Sequence, residues 1–86
     1  MFFIALIKFK KKASDVVEIG KKFMQNLPEG VKIISTYWTL GEYDAVWIYE
    51  APNEKVAIKL GIEAGEVMQT QTLVAITRDE AMKLLE

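Results

Sequence analysis

The residues of this chain that could do chemistry are of few types. Neither histidine nor cysteine occurs among its 86 residues. That removes the commonest general base and metal ligand, and with them the thiol nucleophile. Ser–His and Cys–His catalysis and zinc sites built on His or Cys are excluded, and no metal or other cofactor is expected. Carboxylates, lysines, hydroxyls and phenols remain. Their densest grouping lies in Val31–Glu50, VKIISTYWTLGEYDAVWIYE, which holds Tyr37, Tyr43, Asp44 and Tyr49. Thr70 and Thr72 add hydroxyls on one face of a later strand. Phenols among aromatic neighbours can line a pocket for a planar or apolar molecule and fix its orientation. The same aromatics can form a dimer core, a role that suits Trp38 and Trp47, which lack flexible polar tips, together with Ile34. Asp44 has two readings: it can hold a ligand amine or act as a base, or it can cap the turn beside it. Thr70 and Thr72 can line a cavity or mark an exposed dimer rim.

These side chains need elements to position them. Phe2–Phe9 reads as a strand whose two faces are both apolar, hence a central strand covered on both sides. Lys8, Lys10, Lys11 and Lys12 at its end could form a phosphate-binding patch, but a solvated strand end explains them as well. Ser14 can cap a helix to about Leu27, with Val16, Ile19, Gly20, Phe23 and Leu27 as its buried stripe. Pro28-Glu29-Gly30 ends it.

The hairpin follows. A two-residue loop at Gly41-Glu42 pairs Leu40 with Tyr43, Trp38 with Ala45, Thr36 with Trp47 and Ile34 with Tyr49. One face then carries Ile34, Thr36, Trp38, Leu40, Tyr43, Ala45, Trp47 and Tyr49, an aromatic platform. The other is more aliphatic (Val31, Ile33, Val46, Ile48, with Tyr37 and Asp44) and suits packing under helices. A one-residue slip would exchange the faces. Asn53 can cap a second helix to about Gly65, with Val56, Ala57, Leu60, Gly61 and Ala64 buried. A last strand spans Val67 to Thr77, and Thr77-Arg78-Asp79-Glu80 forms a capping box that opens a short C-terminal helix.

Strand, helix, strand, strand, helix, strand with right-handed crossovers is the ferredoxin-like α+β arrangement, a four-stranded antiparallel sheet with both helices on one face. One domain, residues 1–86, is expected. The other sheet face would be bare, and a chain this short that is 51% hydrophobic gains burial by association. Sheet-to-sheet homodimerisation is the expectation, with higher oligomers open. Net charge is −1, which disfavours nucleic acid as a partner. An RNA-stacking platform is disfavoured too, since the third strand lacks Lys, Arg and Gly among its platform residues. MFFIALI is too short to cross a bilayer, and its charges follow the apolar run, unlike a signal peptide. No membrane partner and a cytoplasmic location are expected.

The run Tyr37-Trp38-Thr39-Leu40-Gly41-Glu42-Tyr43-Asp44 resembles the GYD-domain family of the dimeric α+β-barrel group. The likeness extends to Glu50-Ala51-Pro52, Thr70-Gln71-Thr72-Leu73 and Ala75-Ile76-Thr77. The resemblance implies the fold and the dimer and transfers no catalytic residues. The Gly-x-Tyr-Asp hairpin is also similar to one in Lrp/AsnC-type ligand-sensing domains, which carry an N-terminal helix-turn-helix. Here the first strand opens at Phe2, so direct DNA binding is not expected. The leading expectation is a homodimer that binds a small molecule as a stand-alone sensor or accessory module. A cofactor-independent monooxygenase or isomerase is an alternative, and a structural or protein-interaction module is another.

Overall fold

Alternation of large apolar side chains over Phe2–Phe9 makes that segment a strand with two usable faces, and the rest of the sheet assembles on it. In a computed structural model describing residues 1–86, β1 is Phe2–Phe9, α1 Ala13–Gln25, β2 Lys32–Trp38, β3 Ala45–Glu50, α2 Glu54–Ala64, β4 Met68–Ala75 and α3 Arg78–Lys83. The strands form one sheet in the order β2-β3-β1-β4 with antiparallel pairing throughout. This is a ferredoxin-like α+β fold, and β1 and β3 are its central strands. No helix is long and apolar enough to cross a membrane.

Burial identifies the helix-covered face. Phe3, Ala5 and Ile7 are buried, whereas Phe2, Ile4 and Leu6 are only half-buried. Residues paired directly across antiparallel strands share a face. Phe3 pairs with Tyr49, Ala5 with Trp47 and Ile7 with Ala45. The base of the hairpin's aromatic face, Ala45, Trp47 and Tyr49, therefore lies beneath the helices, the reverse of the expected partition, while Trp38 and Leu40 nearer the turn are exposed. Hydrophobicity alone does not decide between the faces, because both are apolar. Volume does. Small residues interrupt the helix undersides, Gly20 on α1 and Ala57, Gly61 and Ala64 on α2, and leave room there for Trp and Tyr rings. The open face carries Phe2, Ile4, Leu6, Val46, Ile48 and Leu73 instead.

The hairpin register holds near its turn and fails at its base. Trp38 pairs with Ala45 and Thr36 with Trp47, and Thr39 N–H still donates to the Asp44 carbonyl at 2.8 Å. Gly41 supplies the positive φ, 111°, at the loop. At the other end a bulge falls between Ile33 and Ser35, so Ile33 rather than Ile34 opposes Tyr49. The bulge returns Ile33 to the helix side, where it packs against the core, and leaves Ile34 exposed. Gly30 precedes this strand with φ 83°, and a Cβ there would stand 2.6 Å from Pro52 Cγ. Only glycine meets both conditions.

The caps differ in their fit to expectation. Asn53 Oδ1 accepts from Val56 N–H at 3.1 Å, and Thr77 Oγ1 accepts from Glu80 N–H at 3.1 Å. Ser14 does not cap α1. The helix starts two residues earlier, at Ala13, with Lys12 in the capping position and no side-chain hydrogen bond. β4 is shorter than read from sequence, ending at Ala75, and Leu84 and Leu85 of the C-terminal segment are exposed.

Candidate functional site

A cavity of about 50 Å³ lies between the helix-covered face of the sheet and the undersides of α1 and α2. Its floor includes Ile7, Trp47 and Tyr49, and its roof includes Phe23, Leu27 and Leu60. The hydrophobic periodicities of β1, β3 and the two helices place these side chains on inward stripes, except Leu27, which follows the end of α1. Gly61 brings α2 close to β4: a Cβ there would be 3.3 Å from Thr70 Oγ1. The sole hydroxyl-bearing residues lining the space are Tyr49 and Thr70, and no charged residue lines it.

Tyr49 is the best-fixed of these groups. Only 4% of it is exposed, and its ring stacks on Phe3 with centroids 5.4 Å apart and planes 23° from parallel. Burial pushes its phenol above the ordinary 10.0, because the phenolate would be poorly solvated, and a side-chain hydrogen bond with Thr72 partly opposes this. At neutral pH the group is therefore an uncharged phenol, suited to donating a hydrogen bond and unsuited to taking a proton. Cavity and phenol together can hold a small apolar body with one neutral polar atom.

A second cavity, of about 80 Å³, lies farther along the sheet beneath the first half of α1. Phe9, Val16, Gly20 and Trp38 are among the residues around it.

The structure separates the residues singled out from sequence. Tyr49 and Thr70 line the first cavity, and Thr72 stands behind Tyr49. Trp47 lines both cavities and Trp38 the second, so these two lie on the helix side instead of the open face expected of a dimer core. Ile34, the third residue assigned to that core, is displaced by the bulge. Tyr37 pairs with Val46 on the open face and is exposed. Tyr43 also departs from the platform. Its hydroxyl reaches across to donate to Gln71 Oε1 at 2.7 Å, and the Lys8 ammonium lies 5.6 Å from its ring centroid. Gln71 pairs with Leu6, so this contact belongs to the open face. Asp44 lines neither cavity: its carboxylate accepts from Phe9 N–H at 2.8 Å and ties the turn to β1.

Sequence reasoning missed the cavity contributions of Met68 and Ile33. Met68 carries no positional signal beyond its place at the start of a strand, and Ile33 depends on the bulge. Gly61 did carry one, as a small residue in the buried stripe of α2.

The model of the GYD domain family matches residues 5–85 of the chain. No curated protein and no solved structure matches it.

Proposed function

The chain belongs to the GYD-domain family, and on that premise we propose that it is a small-molecule-binding module that works as a homodimer, a sensor or accessory domain. One observation carries the reading. The space between helices and sheet is apolar on nearly every side, no charged residue lines it, and its polar side chains are confined to Tyr49 and Thr70 at its margin and the Trp47 indole. Such a site selects a small apolar molecule with one uncharged oxygen, an alcohol or a ketone. Acid–base catalysis is the weaker reading. No carboxylate or lysine lines the space, burial holds Tyr49 neutral, and Asp44 is engaged with Phe9. The open sheet face supports the homodimer: Phe2, Ile4, Leu6, Val46, Ile48 and Leu73 form an apolar surface that a second copy would remove from water.

An NMR titration with butanone tests the binding role. The expected result is a saturable shift of Trp47 and Met68 side-chain signals, weakened about five- to tenfold when Tyr49→Phe and Thr70→Val remove the hydroxyls. Shifts that never saturate, or that are the same in the double variant, would overturn it.

A further inference from the structure

We infer that the chain carries a second self-association surface, the outer edge of β4 together with the outer flank of α2, on which another copy docks antiparallel. It stands apart from the small-molecule role and from the open-face contact proposed above. The starting observation is Ile58 and Ile62, one helical turn apart on α2 and 60% and 73% exposed. At about 100° per residue they lie on the flank opposite Val56 and Leu60, which pack against the core. Leu60 shares its cavity with Phe23 and Leu27, so its flank is the one turned toward α1. The two isoleucines therefore point outward past β4. That strand lies at the edge of the sheet, in unbroken register with β1, and its outward backbone groups are left to solvent.

The spacing of helices and strands fits a copy placed across this edge. Two helices side by side cover four strands, so α2 lies over the gap between β1 and β4. Its residues line the space above Ile7 of β1, and Gly61 stands close to Thr70 of β4. A twofold axis at the β4 edge then sets the two α2 helices about two strand spacings apart, roughly 9–10 Å, the distance at which helices pack. Ile58 of each copy meets Ile62 of the other. Charge agrees with the antiparallel sense. Lys55 and Glu66 stand at the two ends of this flank, and neither forms an ion pair within the chain. Antiparallel docking brings each Lys55 to the other copy's Glu66, whereas parallel docking would set lysine against lysine. The axis falls midway between Ile58 and Ile62, beside Gly61 and hence near Thr70 and Gln71. Opposed residues share a face, so Gln71 faces its own copy and Thr70 faces Thr72. With two isoleucines and one strand edge per copy, this contact is smaller than the open face and populates in concentrated protein.

The chain has no cysteine, so Gln71→Cys reports on the contact directly. Residues opposed across antiparallel strands have Cα atoms about 4.5–5.5 Å apart, within disulfide reach, whereas stacked sheets stand about 10 Å apart, beyond it. Concentrated Gln71→Cys protein under mild oxidation should give disulfide-linked pairs on a non-reducing gel. Adding Ile62→Glu, which buries a carboxylate against Ile58, should slow their formation at least about tenfold. In sedimentation, Ile62→Glu should remove an association that Ile48→Lys spares. Absence of the disulfide would overturn the inference and leave the edge to a foreign strand. A disulfide rate unchanged by Ile62→Glu would also overturn it, as chance collision of exposed thiols. Either result leaves the open-face dimer standing, since that contact is read by Ile48→Lys. If Gln71→Cys does not fold, sedimentation of Ile62→Glu decides.

Discussion

Tyr49 concentrates most of what is unusual about single residues here. Its folded pKa is raised, so the protonated phenol is the form the fold prefers. Stability from this source is fully present below the ordinary phenol pKa of 10.0 and is lost as pH rises through the higher folded value. Urea midpoints measured from pH 9 upward should therefore fall more steeply in the wild type than in Tyr49→Phe, the difference between the curves isolating this phenol from the lysines. At neutral pH, where the phenol is uncharged, the same variant should differ from the wild type by no more than about 1 kcal/mol. A parallel pair of curves would place the hydroxyl in water. Asp44 shows the other side of reading single residues. Its place beside a turn allowed a ligand contact or a backbone cap, and the Phe9 N–H settles its partner without a ligand.

At the scale of elements, caps of the same length should have unequal consequences. Asn53 and Thr77 each accept from a backbone N–H at 3.1 Å. The α2 helix behind Asn53 buries Ala57 and Ala64 against the sheet, whereas α3 buries nothing. Asn53→Ala should cost about 1 kcal/mol of global stability in chemical denaturation. Thr77→Ala should leave the denaturation midpoint nearly unchanged and instead speed amide exchange within α3 alone. Equal midpoint losses would mean that α3 is held by packing. Element identity was largely legible in the sequence, because periodicity and caps are local: β1, both long helices and the capping box at Thr77 read correctly. Sidedness was not legible. It depends on Gly20, Gly61 and the alanines opposite Trp47 and Tyr49, a volume match between segments far apart in the chain. The bulge at Ile34 was hidden for a related reason, since Ile33 and Ile34 are equally apolar and only the three-dimensional neighbours of Tyr49 choose between them.

The whole molecule is thin, 47 × 32 × 17 Å, with helices on one side of a single sheet. Only 11 of its 86 residues are buried, which leaves the stability of an isolated chain resting on very little interior. A second copy on the open face is the proposed remedy. Ile48→Lys, in the middle of that face and remote from both cavities, should turn the dimer into a monomer in light scattering and lower the thermal midpoint with it. A dimer that survives the substitution would locate the contact elsewhere. The cavity was legible only in part. Tyr49 and Thr70 could be named as hydroxyls with a pocket-lining option, but that they face the same space follows from their opposing Phe3 and Ile7 on β1, a register no local pattern displays.

The sheet's two edges are also unlike. The β2 edge is interrupted by the bulge and carries Lys32, while β4 runs unbroken from Met68 to Ala75 without a lysine or a proline. Growth of a fibril needs two receptive edges, one to add to and one to offer onward. This chain presents one. Two isolated copies meeting along β4 would use up that edge and expose only blunted ones, so strand pairing between single chains terminates at a pair.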